Sequence, residues 1–237
     1  MSNRMTPLSP HAPTLTLNVN GLNSPTKKHR VAKWIKEQDP TICCLQETHL
    51  SSKDKHRLTV KGWKTILQAN SKQKKACAAM LISDKTDFKI RQVKRDTGDQ
   101  YIMIKGTHHQ EEITLINIYT PNTGAPKLIK QLLTNQKEDI ENNTVIVGDL
   151  NTPLTSMDRS CRQKINKGTV ELNEKLKQLD LTDIYRTLHP KTEYTFLSST
   201  HGTFSRTDHM LGNKASLYKF KKIEMISNVF CDHNAIK

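Results

Sequence analysis

The stretch richest in usable chemistry is Thr144-Val145-Ile146-Val147-Gly148-Asp149-Leu150-Asn151. A short β-branched run meets a glycine and then delivers a carboxylate and an amide two residues apart. Alternate residues of an extended chain share a face, so both side chains can point the same way at the strand's end. An acid leaving a strand can also do no more than cap a helix, but the device recurs. Asn18 closes a strand-like run, and Glu47 follows Thr41-Ile42-Cys43-Cys44-Leu45-Gln46. Tyr119 ends Ile113-Thr114-Leu115-Ile116-Asn117-Ile118, Asp208 stands in Arg206-Thr207-Asp208-His209, and Asp232-His233 lies near the last residue. Singly, each has a plain reading: a lone histidine is usually structural, and a glutamate after a strand is usually solvated. Polar groups able to move protons at so many strand ends are much less expected by chance.

The elements that must position them follow from hydropathy patterning. Thr14 to Asn20 alternates, with Leu15, Leu17 and Val19 on one side and Asn18 and Asn20 on the other, as a half-buried strand requires. Ser24 and Pro25 open a helix carrying Val31, Trp34, Ile35 and Gln38 at helical spacing, and Pro40 stops it. Thr41–Leu45 reads as a buried strand. Further strands are expected at Trp63–Ala69, Ala76–Ser83, Phe88–Lys94, Tyr101–Lys105, Ile113–Tyr119, Thr144–Val147, Tyr194–Leu197, Asp208–Leu211, Ile223–Val229 and Asn234–Lys237. Helices are expected at Pro126–Glu141 and Thr169–Asp180. Many short strands with few helices imply an α/β or α+β sandwich with two sheets inside and helices outside. The first 13 residues read as a disordered extension and residues 14–237 as one domain.

Composition narrows the partners. The longest apolar run, Ala76 to Ile82, is far short of the roughly 18 residues of a membrane span, so no membrane role is expected. The N-terminus lacks the apolar core of a secretory signal, which predicts an intracellular protein, nuclear and cytoplasmic. Five cysteines, odd in number and without a CxxC pair, argue against both a disulfide framework and a zinc site. Lys and Arg number 37 against 23 Asp and Glu, a net charge of +14 that favours a polyanionic partner. The excess is local, in Lys53–Lys75, Arg159–Lys167 and Lys214–Lys222. A single such run is as often a solvated face, but three make nucleic acid the leading partner.

Taken in order, Leu17-Asn18-Val19-Asn20-Gly21, Gln46-Glu47-Thr48, Asn117-Ile118-Tyr119-Thr120-Pro121-Asn122, Gly148-Asp149-Leu150-Asn151, Thr207-Asp208-His209 and Cys231-Asp232-His233 resemble the endonuclease/exonuclease/phosphatase superfamily, its apurinic-endonuclease-like group. Asn20-Gly21-Leu22-Asn23-Ser24, Met157-Asp158-Arg159-Ser160 and Ile184-Tyr185-Arg186-Thr187-Leu188-His189-Pro190 are similar to something narrower. That is the endonuclease domain that opens the second open reading frame protein of mammalian LINE-type retrotransposons. The resemblance runs from about Leu15 to Lys237.

The resemblance implies a four-layered α/β sandwich and a metal-dependent phosphodiesterase that nicks one strand of DNA, leaving a 3′-hydroxyl. It casts Glu47 as a carboxylate ligand of Mg²⁺, with Mn²⁺ as a substitute, and Asn18 and Asp232 as its companions. Asp149 then orients or deprotonates water, Asn151 fixes phosphate and nucleophile, His233 held by Asp208 donates to a phosphate oxygen, and Tyr119 contacts phosphate or leaving group. Thr195, Ser205, Thr207 and Arg159 would face double-stranded DNA. The segment Thr195–Ser205 resembles a hairpin that enters the minor groove, so A·T-rich sites are expected. A monomer is expected. Abasic-site cleavage and a catalytically degenerate DNA-binding copy are the alternatives. Cys231 and Thr207 stand where relatives usually have serine and an aliphatic residue, and Cys77 stands where glycine is common.

Overall fold

A computed structural model of the chain describes residues 12–50, 59–63, 65–69, 78–96, 98, 100–161, 164–200 and 202–237. Cys77, most of the Lys53–Lys75 run and nearly all of the expected N-terminal extension lie outside the described residues.

Two strand–helix–strand units organise the chain. In the first, β1 (Thr14–Asn18) crosses through α1 (Pro25–Gln38) to the parallel strand β2 (Ile42–Gln46). Strands β3 (Thr65–Gln68) and β4 (Ala79–Ile82) complete one side of that sheet. Then come β5 (Lys89–Arg95), β6 (Tyr101–His108) and the second unit, in which β7 (Glu111–Tyr119) crosses through α2 (Ala125–Asn135) to parallel β8 (Thr144–Asp149). The chain continues through α3 (Lys167–Gln178), β9 (Leu181–Asp183) and α4 (Ile184–Leu188) to a hairpin of β10 (Phe196–Ser198) and β11 (Thr203–Ser205). It ends with β12 (Asp208–Asn213), β13 (Met225–Ile226) and β14 (Ala235–Ile236). One sheet has the order β13-β14-β1-β2-β4-β3 and the other β5-β6-β7-β8-β12-β9.

Three apolar layers account for the stacking. Leu15, Leu17 and Val19 of the β1 segment meet Val31 and Ile35 of α1, as their alternation predicts. Cys44, Met80 and Ile82 meet Ile102, Ile104, Leu115 and Val147 between the sheets. Ile116, Ile118 and Ile146 meet Ile129 and Leu133 of α2 and Leu172 and Leu176 of α3. The result is the expected helix–sheet–sheet–helix sandwich.

The inter-sheet layer is not wholly apolar. Gln46 Nε2 donates within its own sheet to Thr16 Oγ1 at 3.0 Å and across the sheets to Asn117 Oδ1 at 2.6 Å. Asn117 Nδ2 in turn donates to the carbonyls of Leu45 at 3.1 Å and Ala79 at 2.9 Å. Apolar packing tolerates sliding, whereas buried hydrogen bonds satisfy their groups only in one register. This ladder therefore fixes how the C-terminal ends of β2 and β7 face each other.

Several boundaries differ from the expectation. The helix expected to reach Glu141 stops at Asn135, and a 3₁₀ turn follows at Lys137–Asp139. Helix α3 begins earlier, because Asn166 caps it by accepting from Thr169 N at 2.8 Å. Helix α4 was not anticipated; at five residues it is too short for an apolar period and forms on the Asp183 cap. The strand expected at Ile223–Val229 shrinks to Met225–Ile226, because Asn228 turns the chain by accepting from Phe230 N and Cys231 N.

Replacing Asn117 with Leu removes one acceptor of the buried Gln46 Nε2 and the side-chain donor to two interior carbonyls. The expected loss is about 3 kcal/mol, read as a lower urea midpoint at unchanged slope. An unchanged midpoint would show that the ladder is dispensable.

Candidate active site

The two parallel crossovers explain why distant positions meet. A parallel pair joined through a helix presents both C-terminal strand ends at one edge. Asn18 and Glu47 leave β1 and β2 at such an edge, and Tyr119 and Asp149 end β7 and β8 at another. Strand β12 is antiparallel to β8, so its first residue, Asp208, pairs with Asp149. His233 precedes β14, which is antiparallel to β1.

The edges converge. Asn18 Nδ2 donates to Asp149 Oδ2 at 2.8 Å, linking the two sheets. His233 Nδ1 lies 2.7 Å from Asp208 Oδ2, and its Nε2 lies 4.0 Å from Asp149 Oδ2. Asn151 N donates to Asp149 Oδ1 at 2.9 Å, and its Nδ2 donates to the Thr120 carbonyl at 2.7 Å and to Asp149 Oδ2 at 3.2 Å. Asp149, Asp208 and His233 are buried. The glycine before Asp149 is a steric requirement, since a Cβ at Gly148 would lie 1.9 Å from the Ile118 carbonyl oxygen. Asn151 has φ 45°, a left-handed turn that asparagine tolerates better than most residues.

Burial and the charge of Asp208 raise the Asp149 carboxyl to about 6, against the opposing pull of His233, the Asn151 N–H and Asn18. Burial alone would favour a neutral His233, but the charge and hydrogen bond of Asp208, then Asp149 and Asp232, raise it to about 9. A protonated imidazole thus stands against two buried carboxylates.

The sequence profile of the Endonuclease/Exonuclease/phosphatase family matches residues 15–224. The chain belongs to that family. It is 22% identical over 228 residues, 93% of its length, to a transposon TX1 uncharacterized 149 kDa protein of Xenopus laevis, and spans 17% of that protein. The fold is that of AP endonuclease LMAP from Leishmania major, with TM-score 0.77 at 16% identity, covering 94% of this chain and 85% of that one. It also superposes on the endonuclease domain of TRAS1, a telomere-specific non-LTR retrotransposon, with TM-score 0.72 at 16% identity, covering 94% and 95%.

In this family member the other expected groups take distinct places. Tyr119 faces Glu47; burial first, then the charge of Glu47, pushes the phenol well above its ordinary range, so it stays protonated. Glu47 has φ 49°, an unusual conformation for a residue with a side chain at Cβ. Asp232 is exposed, and its Oδ1 accepts from Asn20 Nδ2 at 3.3 Å. Of the three groups expected to hold a metal, Asn18 is thus engaged with Asp149, Glu47 with Tyr119 and Asp232 with Asn20. Ligand atoms of Asp149, Asp208 and His233 lie within 4.8 Å of one another, a second set able to hold an ion. Asp208 Oδ1 is buried without a partner. The two carboxyl groups of this set, with a spare buried oxygen on Asp208, fit a hard divalent cation.

The hairpin is built into the site rather than appended to it. Phe196 bridges His233, with ring centroids 4.8 Å apart, and Arg159 bridges Ser205. Thr195 is buried, and its hydroxyl accepts from the N–H groups of Thr207 and Asp208 at 3.2 and 3.3 Å. Among the four residues expected to face DNA, Thr195 therefore supports Asp208 from inside. Arg159 and Ser205 are partly exposed, and Thr207 is buried with its hydroxyl unpartnered. Arg159 also lines a cleft of about 330 Å³ with Asn122 and Asn151. Cys231 donates to Asn228 Oδ1 at 3.0 Å, so the thiol performs a turn-forming bond that serine could also make.

One supporting network was not read from the sequence. Arg206, fully buried, reaches Asp183 at 2.7 Å and Asp158 at 2.9 Å. Arg186 reaches Asp158 at 2.6 Å, and His209 joins Asp183 at 2.7 Å to the Thr152 carbonyl at 2.9 Å. Burial would raise Asp183, yet His209 and Arg206 hold it down at about 2. These charges tie the loop after Asn151 to the strand that carries Asp208. Their only trace in sequence is that they fall in the motif stretches around Asp158, Arg186 and Arg206.

Because the folded value of His233 lies above its ordinary 6.5, its stabilising contribution is complete below pH 6.5 and disappears as pH rises through about 9. In metal-free buffer, stability is expected to fall by as much as about 3 kcal/mol across that window. His233→Gln should flatten the decline in a urea titration at each pH. Parallel profiles for the two proteins would contradict the pairing with Asp208.

Proposed function

We propose that this chain is a divalent-metal-dependent DNA endonuclease that nicks one strand and leaves a 3′-hydroxyl, an end suited to priming reverse transcription in a LINE-type element. The observation that carries the reading is the contact between the Asp208–His233 pair and Asp149 at the junction of the sheets. Support also comes from the curated transposon relative and from solved neighbours named as AP and retrotransposon endonucleases.

A phosphodiester gains negative charge in its transition state, so donors and positive charge must stand ready there. Asp208 accepts from His233 Nδ1 and fixes the ring, leaving Nε2–H to donate to a phosphate oxygen. Asp149, ionised at neutral pH yet less acidic than a free aspartate, orients water and takes its proton. Asn151 spends its amide hydrogens on Thr120 and Asp149, so its part is to hold Asp149 in place. Tyr119, kept protonated, aligns Glu47. Mg²⁺ or Mn²⁺ would be held by Glu47 with Asn18 and Asp232, or by the carboxyl groups of Asp149 and Asp208, and would supply Lewis-acid stabilisation of the phosphate charge.

Double-stranded DNA is the partner that the net charge favours. The β10–β11 hairpin, with Leu197 and Phe204 exposed, is the element suited to the minor groove, and its action on groove width and flexibility favours A·T-rich sites. The chain acts as a monomer, and nuclear access follows from the substrate. The AP endonuclease neighbour favours a second reading, cleavage at abasic sites.

Supercoiled plasmid with Mg²⁺ should give nicked circles, and EDTA should abolish them. Asp149→Asn or His233→Gln should lower the rate at least about 10³-fold while DNA affinity stays within a few-fold. Binding without nicking by the unaltered chain would select a degenerate copy. Cleavage confined to depurinated plasmid would select the abasic-site reading.

A further inference from the structure

The catalytic centre is not the only cluster of ligand-type side chains. At the far end of the second sheet, β6 and β7 join through a two-residue turn, His109-Gln110, with φ 47° and 68°. Both residues are left-handed, the tight hairpin turn that matches strand twist. This conformation folds the His109 ring back on His108, with centroids 4.3 Å apart. Asp87, two residues before β5, closes the group: its Oδ1 lies 2.6 Å from His108 Nδ1 and its Oδ2 lies 3.3 Å from His109 Nδ1. The His109 N–H also donates to Asp87 Oδ2, at 3.2 Å. One ligand atom from each residue falls within 4.8 Å of the others.

The geometry points to a transition-metal site of the zinc type at Asp87, His108 and His109, separate from the catalytic centre. Two imidazole nitrogens and a carboxylate are ligands that Zn²⁺, Co²⁺ or Ni²⁺ accept, whereas Mg²⁺ prefers oxygen alone. The ligands are held by backbone, on a tight turn and beside a strand start, so little ordering remains for binding to impose. Glu111 and Glu112 at the start of β7 are paired with Lys219 and Arg91, so the charge around the cluster is balanced. Strand β7 carries nine residues from this end to Tyr119, so the site lies roughly 25 Å from the catalytic edge. A bound ion would staple the segment before β5, an edge strand with an irregular register between Ile90 and Gln92, to the β6–β7 hairpin.

His108 limits the affinity. Coordination through Nδ1 moves its proton to Nε2, which is buried without a partner. Loss of such an outer hydrogen bond weakens metal sites about 10- to 100-fold, so a reversible, exchangeable site is expected. Without an ion the same groups form a latch, with Asp87 accepting from the His109 backbone N–H and lying against both rings.

The proposal does not rest on the nuclease reading. The reduced 237-residue chain at constant saturating Mg²⁺ would be titrated with Co²⁺, beside the double variant D87N/H109Q; circular dichroism verifies that both are folded. The unaltered chain should bind one equivalent more than the variant, with weak visible bands and no thiolate charge-transfer band. Zn²⁺ should raise its melting midpoint by a few degrees and leave the variant's unchanged. His109→Gln alone, at an exposed turn position, should weaken uptake at least tenfold. Equal uptake by both chains, uptake accompanied throughout by thiolate charge transfer, or a His109→Gln chain that binds normally would each overturn the site.

Discussion

Two carboxylates buried on facing positions of neighbouring strands repel each other, and most of the site answers that repulsion. Asp149 and Asp208 are paired residues of β8 and β12. Burial and the neighbouring charge of Asp208 raise the Asp149 carboxyl toward 6. Help arrives as three donors on Asp149, from Asn18 and from the backbone and side chain of Asn151, and as one protonated ring shared by both acids. A group arranged in this way is loaded before any substrate arrives. Its charge is fixed in place, and little reorganisation remains when a phosphate enters.

The sandwich holds that balance rather than merely surrounding it. Gly148 lets β8 pass the Ile118 carbonyl closely enough to end in line with β7. The Gln46–Asn117 contact sets the sheets in register, so that Asn18 of one sheet meets Asp149 of the other. Arg206, between Asp158 and Asp183, anchors both the loop beyond Asn151 and the approach to Asp208. Buried ion pairs of this kind contribute little net stability, since desolvation offsets much of the attraction. Their effect is to admit one arrangement of the loops. The same economy appears at the hairpin, where Thr195 and Phe196 support Asp208 and His233 while Leu197 and Phe204 remain exposed.

Much of this was legible in the chain. The alternation of Leu15, Leu17 and Val19 named the face that α1 covers, and Ser24-Pro25 placed its start. The polar residues at strand ends stood out because each follows an apolar run, and their order carried the family. What the order could not convey was which group touches which. The Asn18–Asp149 bond joins residues 131 positions apart and depends on sheet packing. The engagement of Glu47 with Tyr119 depends on a left-handed turn that glutamate rarely adopts. Buried charges such as Arg206 resemble exposed ones in sequence, since only tertiary partners distinguish them. Helix α4 and the shortened strand near Asn228 were decided by single capping and turn-forming side chains, a scale finer than hydropathy periods resolve.

In the proposed mechanism Asp208 and His233 act as one unit on the group that Asp149 faces. A double-mutant cycle on plasmid nicking at constant Mg²⁺ measures this directly, using Asp208→Asn, His233→Gln and the pair together. If the two residues form one device, the double variant should be no slower than the slower single variant, within about threefold. Losses that multiply across the cycle would mean that the two residues work independently and would contradict the pairing.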